Sequence, residues 1–393
     1  MTNPSLQTSF RSKLPQVGTT IFTIMSQMAQ DHGAINLSQG FPDFHVSSAL
    51  IELVHKYMKA GSNQYAPMQG VMGLREQIGE KTAALYGNTI DPETQITITS
   101  GGTEAIFSAV AAMLRQGDEA IILEPAYDCY APAVELCGGV PVYVALNPHD
   151  FSVNWQAVKD HITEKTRLIF INTPHNPTGA VLSAADLDTL ADILRNTSIF
   201  VISDEVYEHI IFDGLPHQSV LCHGELASRS VAVSSFGKTF HATGWKVGYC
   251  IAPPWLMKEI RKVHQYVQFS VHTPTQMALA EYLADKEHYS GLAAFYQQKR
   301  DLFIELMAAL PFQPVVSKGT YFQLFSYQGF SNEPDRTLAE RLTQKAKVAS
   351  IPVSVFYHDQ TDHHYLRFCF AKDDTTLRQA AELLKQWIQQ EKN

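Results

Sequence analysis

The stretch LIFINTPHNPTGAVLSAADLDTLADILRNTSIFVISDEVY, residues 168–207, decides the fold. It opens on LIFI (168–171), apolar at every position, as suits a strand covered on both faces. Two prolines and a glycine then fix a sharp turn, Asn172-Thr173-Pro174-His175-Asn176-Pro177-Thr178-Gly179. Over Ser183–Arg195 the apolar Ala184, Leu187, Leu190, Ile193 and Leu194 share one helical face. A second buried run, IFVIS (199–203), follows and ends on Asp204-Glu205-Val206-Tyr207. Strand, turn, helix and strand form the repeat of an α/β domain.

The pattern extends to both sides. QITIT (95–99), AIIL (120–123), PVYV (141–144), VAVSS (231–235) and VGYCIA (247–252) read as further strands. Thr103–Arg115 reads as a helix with Ile106, Val110, Met113 and Leu114 on one face. The expected fold class is α/β, a mostly parallel sheet covered by helices. The C-terminal quarter changes character. Residues 290–310 predict a long helix, and Thr375–Ile388 an amphipathic closing helix. YFQLF (321–325) and HYLRFCF (364–370) read as alternating, half-exposed strands. A second, smaller α+β domain is expected here. No internal repeat and no low-complexity linker separates the parts.

Composition narrows the function classes. The chain has 393 residues, 45% of them hydrophobic, with a net charge of -9. That balance argues against a nucleic-acid partner, because phosphate backbones call for a basic face. No apolar run approaches the roughly 20 residues of a membrane span. The opening MTNPSLQTSFRSKLP lacks the apolar region of a secretory signal. Five scattered cysteines form no Cys-x-x-Cys pair, so neither a disulfide framework nor a zinc site is expected. Reduced thiols in a cytoplasmic protein fit better.

Ligands of such sheets bind at the carboxyl ends of strands. After QITIT comes Ser100-Gly101-Gly102-Thr103 opening a helix, a cradle for phosphate or a plain turn capped by Thr103. After LIFI the proline turn presents Asn176. After IFVIS stands Asp204, an acid whose ionisation at the end of a buried strand calls for a cation. After VAVSS comes Phe236-Gly237-Lys238-Thr239, where desolvation lowers a lysine's pKa and a neutral amine forms a Schiff base. Each signal has an ordinary structural explanation alone. Together they match one ligand. Its phosphate takes a glycine turn and a hydroxyl, and its pyridine nitrogen a carboxylate. Its phenolic oxygen takes an amide and a tyrosine, and its aldehyde a lysine. That ligand is pyridoxal phosphate.

SSFGKTFHATGWKVGY, NTPHNPTG, SDEVYEHIIF, NLSQGFPDF and NQYAPMQG resemble the blocks of fold-type I, class I/II pyridoxal-phosphate-dependent aminotransferases. Arg367 in HYLRFCFA extends the resemblance toward the C-terminus. The chain is most similar to the methionine and kynurenine–glutamine aminotransferase branch. The resemblance implies a catalytic set of Lys238, Asp204 and Tyr207. It places Gly102, Thr103, Ser235 and Lys246 on the phosphate, and Tyr127 on the ring. It gives Asn176 and Tyr207 to the phenolic oxygen, and Gly40, Asn176 and Arg367 to the substrate carboxylate. Tyr65 would reach the site of a second subunit in a homodimer. The expected division is a large cofactor-binding domain over residues 48–290, and a small domain built from residues 1–47 and 291–393.

Two departures bear on the substrate. Residue 246 is lysine, where the aspartate branch carries arginine. Val267–Pro274 contain no arginine to bind a second carboxylate. A neutral, large, sulfur-containing or aromatic amino donor is therefore expected, with a 2-oxo acid as acceptor and ping-pong kinetics. Ile21, Phe22 and His272 are substrate-side candidates that read equally well as packing residues.

Other readings fare worse. No Gly-x-Gly and no Gly-x-x-x-x-Gly-Lys occurs, against a dinucleotide enzyme and a P-loop NTPase. Ser235-x-x-Lys238 matches the serine acyl-enzymes, but Ser-Asp-Asn and Lys-Thr-Gly are absent. Asp362, His363 and His364 read as a solvated loop rather than a metal site. The closest rival keeps the cofactor and eliminates a β-substituent, as a cysteine-conjugate β-lyase.

Overall fold

A computed structural model describes residues 11–391. The first ten residues of the expected small domain, most of the N-terminal stretch read above, and its last two residues lie outside the described residues. Strand β1 is Ile35–Asn36, and β2 Ile96–Thr99. Then follow β3 (Glu119–Glu124), β4 (Val140–Ala145), β5 (Thr166–Asn172), β6 (Phe200–Asp204), β7 (Ser230–Ser235) and β8 (Gly248–Ile251). The later strands are β9 (Gln313–Val315), β10 (Phe322–Ser326), β11 (Val348–Ala349), β12 (Ile351–Pro352) and β13 (Tyr365–Cys369).

Seven strands make the main sheet, in the order β2-β8-β7-β6-β5-β3-β4. All run parallel except β8, which is antiparallel to both neighbours. The central strands are apolar throughout because both faces are covered. Ile169, Ile171 and Val201 join one core cluster, while Leu168, Phe170 and Ile202 join the other. The helix between β5 and β6 spans Ala184–Leu194. Its Ser183 and Asp186 form a reciprocal capping box. Leu187, Leu190, Ala191 and Leu194 bury its inner face.

The C-terminal quarter forms a four-stranded antiparallel sheet, in the order β12-β13-β10-β9. Helices Leu292–Met307 and Asp374–Glu391 accompany it. The expectation of half-exposed strands is corrected here. Phe322 to Phe325 and Leu366 to Cys369 are all buried. Both faces are covered, so the alternation does not mark a water-facing side. On one face Phe325 and Phe368 pack edge-on against Phe303 of the long helix. On the other, Phe322 lies against the Arg367 guanidinium, 3.9 Å from ring centre to its carbon.

The N-terminal segment is tied to this part of the chain. Ile35 and Asn36 pair in parallel with Val348 and Ala349. The Cys369 N–H donates to the Leu37 carbonyl at 2.8 Å. These bonds lay Ser38-Gln39-Gly40 alongside β13, next to Arg367. All five cysteines are free thiols. Among the described residues no helix is long and apolar enough to cross a membrane.

Candidate active site

Strands β2, β5, β6 and β7 deliver their carboxyl ends to one edge of the sheet. Because β8 runs the opposite way, it begins at that same edge. A cavity of about 290 Å³ lies there. Gly40, Gly102, Thr103, Tyr127, Asn176, Asp204, Tyr207, Ser235, Lys238, Lys246 and Arg367 all line it. The chain positions suspected from the sequence thus converge, with one exception. Tyr65 is 80% exposed, its ring edge-on to Phe269 at 5.1 Å, and it does not line this cavity.

One end of the cavity has the chemistry that suits an anion. The helix Gly101–Met113 starts there, offering unbonded N–H groups. Gly101 has φ +75°, and a Cβ on it would meet Lys246 Nζ at 3.2 Å. The glycine therefore lets the ammonium approach the turn. Lys246 itself adopts φ 51°, at the approach to β8. Thr103 is not the cap considered above. Ser100 holds the N-cap position without a side-chain bond, and Thr103 lies in the first turn on the cavity wall.

Asp204 closes the carboxyl end of β6 and is 4% exposed. Its Oδ2 accepts a hydrogen bond from the Tyr130 hydroxyl at 2.6 Å. Burial pushes its pKa up to about 6, against the downward pull of that bond. No salt bridge reaches this carboxylate among the described residues. A buried acid lining a cavity with no ion-pair partner fits a cationic ligand atom.

Lys238 follows β7 on the short helix Phe236–Thr239. Its Nζ donates to the Tyr321 hydroxyl at 2.9 Å and to the Gly40 carbonyl at 3.1 Å. The amine also lies 5.5 Å from the ring centres of both Tyr207 and Tyr321. Removal from water lowers its pKa to about 8. The same cause raises the Tyr207 and Tyr127 phenols, so both remain protonated donors.

Arg367 stands opposite, 1% exposed. Its Nη1 donates to Asn176 Oδ1 at 2.7 Å and its Nη2 to the Ser38 carbonyl at 3.0 Å. Its Nε is buried without a partner. Burial lowers its pKa to about 10, which leaves it charged at neutral pH. The Asn176 oxygen is occupied by Arg367, so the amide nitrogen is the end left to donate. The Asn176 backbone N–H is fixed by Asn172 Oδ1 at 2.8 Å.

Sequence reasoning missed several residues of this wall and of the layer behind it. Tyr130 carries no motif and follows Tyr127 by three positions. Tyr321 and Phe322 sit in the quoted YFQLF, where only their strand character was legible. Asn172 and Gln39 lie inside quoted blocks without an assigned task. Phe22 lines the cavity, its ring centre 5.3 Å from the Arg367 guanidinium carbon. His272 instead bonds Thr275, and Ile21 packs on the core.

The donor set fits pyridoxal phosphate at each functional group. The glycine cradle and Lys246 suit the phosphate, and the unpaired Asp204 suits a protonated ring nitrogen. The amine of lowered pKa suits the aldehyde. Comparison with known proteins agrees. A family model, aminotransferase class I and II, matches residues 32–384. The chain belongs to this family. The aminotransferases of class I and II depend on pyridoxal phosphate, and the protein is a transaminase. It is 52% identical to the methionine aminotransferase of Escherichia coli over 377 residues, covering 96% of this chain and 98% of that one. It is 33% identical to human kynurenine–oxoglutarate transaminase 1, covering 92% and 94% of the two chains. The solved structure of YbdL from Escherichia coli, reported with a methionine aminotransferase function, superposes with a TM-score of 0.94. That structure is 51% identical and covers 96% of this chain and 99% of its own. The sequence-based assignment to a pyridoxal-phosphate aminotransferase, with a fold of mostly parallel sheet and helices, is borne out.

Proposed function

We propose that this transaminase takes its amino group from a methionine-like donor, a neutral amino acid with a large apolar or sulfur-containing side chain. The observation that carries the reading is one cavity holding a single guanidinium, Arg367, with apolar rings beside it. Arg367 binds the α-carboxylate through its two-nitrogen fork. Phe22, Ile106 and Phe322 supply apolar surface, and among the described residues no second arginine lines the wall to take a side-chain carboxylate. The names of the relatives, methionine and kynurenine transaminases, support the same class.

Bound pyridoxal phosphate supplies the carbon that accepts the amine and the electron sink for Cα chemistry. The protein's residues do the rest. Gly102, Thr103, Ser235 and Lys246 hold the phosphate, and Tyr127 packs on the ring. Asp204 keeps the ring nitrogen protonated. Asn176 and Tyr207 donate to the phenolic oxygen. Lys238 would anchor the cofactor and, once freed by the substrate amine, would carry the Cα proton on its Nζ as general base and then acid. Gly40 joins Arg367 and Asn176 at the carboxylate. A second oxo acid reverses the sequence, giving ping-pong kinetics.

We read the active form as a cytoplasmic homodimer in which Tyr65 reaches the neighbouring site. Its 80% exposure, edge-on to the 43% exposed Phe269, supports a surface that a second copy covers. Residues 48–290 are read as the cofactor-binding domain, and 1–47 with 291–393 as the small one. A panel of amino acids against several 2-oxo acids tests the proposal. Methionine should outrun aspartate, and product should require an oxo acid. Faster turnover of aspartate would overturn the substrate class. Pyruvate and ammonia from cysteine conjugates without an oxo acid would show the β-lyase reaction.

A further inference from the structure

Tyr321 holds a hydroxyl at the catalytic amine that the roles above leave unused. It is fully buried. Its O–H donates to the Gly40 carbonyl at 2.5 Å. The tyrosine proton is thereby committed, and the oxygen faces Lys238 as an acceptor. Lys238 Nζ donates to that oxygen at 2.9 Å and to the same Gly40 carbonyl at 3.1 Å. Three polar atoms thus close a triangle: amine, phenol and carbonyl.

A neutral amine has two N–H bonds and one lone pair. Pinning both hydrogens to fixed acceptors leaves the lone pair with one direction. Here both acceptors belong to the wall formed by Gly40 and Tyr321. The lone pair therefore turns away from that wall, into the cavity where a substrate Cα would stand. We propose that Tyr321 is a positioning residue that, with the Gly40 carbonyl, orients the lone pair of free Lys238 for proton transfer. The proposal rests on the reading of Lys238 as the proton shuttle. The step it serves is balanced. The Cα–H bond breaks, its proton forms an N–H bond with the lysine lone pair, and its electron pair passes into the bound cofactor. The ammonium so formed keeps both contacts and carries the proton as its third N–H.

Packing fixes the phenol. Its ring meets Tyr207 edge-on at 5.1 Å, Phe322 at 5.0 Å and Tyr296 at 5.7 Å. The ring contacts survive loss of the hydroxyl, which also interacts with the Tyr207 hydroxyl. Burial lowers the Lys238 pKa to about 8, so a sizeable neutral fraction exists near that pH. Orientation then governs how well the amine works as a base.

The test is Tyr321→Phe in the cofactor-loaded enzyme, beside the parent and Lys238→Ala. The first half-reaction is followed in single turnover with methionine and with its α-deuterated form. We expect the variant to keep its cofactor spectrum, melting temperature and substrate half-saturation within about twofold. Its rate should fall roughly 10-fold, the scale of a modest misalignment of reacting groups. The deuterium effect should rise as proton transfer becomes limiting. An unchanged rate and isotope effect would overturn the proposal. Loss of fold or cofactor would overturn it too, because the hydroxyl is assigned orientation alone. The reading beneath it is judged separately. A parent that turns over and a Lys238→Ala variant that does not would sustain the shuttle even if Tyr321 proves idle.

Discussion

The Tyr130 hydroxyl donates to Asp204 Oδ2 at 2.6 Å, with both residues buried and the Tyr130 ring stacked on Phe170 at 4.9 Å. Burial raises the proton affinity of Asp204, and this bond lowers it. In the proposed site Tyr130 would therefore set how willingly the carboxylate leaves the proton on a ring nitrogen. Tyr130→Phe should push the Asp204 pKa above its value of about 6. The acid limb of the pH–rate profile should move to higher pH. A hydrogen bond to a charged group contributes about 1.5–3 kcal/mol, so kcat should fall between about 10- and 100-fold with little change in KM. A pH series on parent and variant measures both.

Lys238 makes a second pH prediction. Its pKa is depressed to about 8, so the amine is protonated below that value and neutral above it. Only the neutral amine attacks an aldehyde. The rate at which cofactor-free protein takes up pyridoxal phosphate should climb with pH around a midpoint near 8. A midpoint near the ordinary lysine value would show that burial does not act on this amine.

Arg367 sits in a closed corner, where Asn176 and the Ser38 carbonyl fix its orientation. Arg367→Ala should lower kcat/KM about 100-fold or more, the scale of a buried charge pair losing one member. Arg367→Lys should recover little, because an ammonium lacks the planar fork. Steady-state kinetics with methionine decide this. Unchanged values would remove Arg367 from the carboxylate.

Gly101→Ala probes the proposed phosphate end. An alanine at φ +75° costs about 1–2 kcal/mol, and its Cβ would crowd Lys246 Nζ. Cofactor affinity should drop more steeply than that strain alone implies, since the ammonium is displaced as well. Titration with pyridoxal phosphate and thermal melts of the cofactor-free variant separate the two effects.

Much of this site was legible because its parts end strands. A strand buried on both faces is apolar throughout, so Asp204 and Lys238 stand out as chemistry placed just past a hydrophobic run. The support around them was not legible. Tyr130 and Tyr321 come to Asp204 and Lys238 from 74 and 83 positions away, through packing that no local pattern records. The antiparallel direction of β8, which brings Lys246 to the shared edge, likewise has no signature in VGYCIA. In β10 and β13 the polar Gln323 and Arg367 suggested a water-facing side. Both are buried: Gln323 bonds the Val315 and Leu324 carbonyls, and Arg367 faces the cavity. A buried polar residue with internal partners mimics the alternation of a half-exposed strand.

The central claim is that Lys238 carries the cofactor. Borohydride reduction of the pyridoxal-phosphate-loaded protein, followed by peptide mass analysis, tests it most directly. The account predicts a stable pyridoxyl-phosphate mass on Lys238 and loss of the visible absorbance. A mass on another lysine, or none with cofactor supplied, would contradict it.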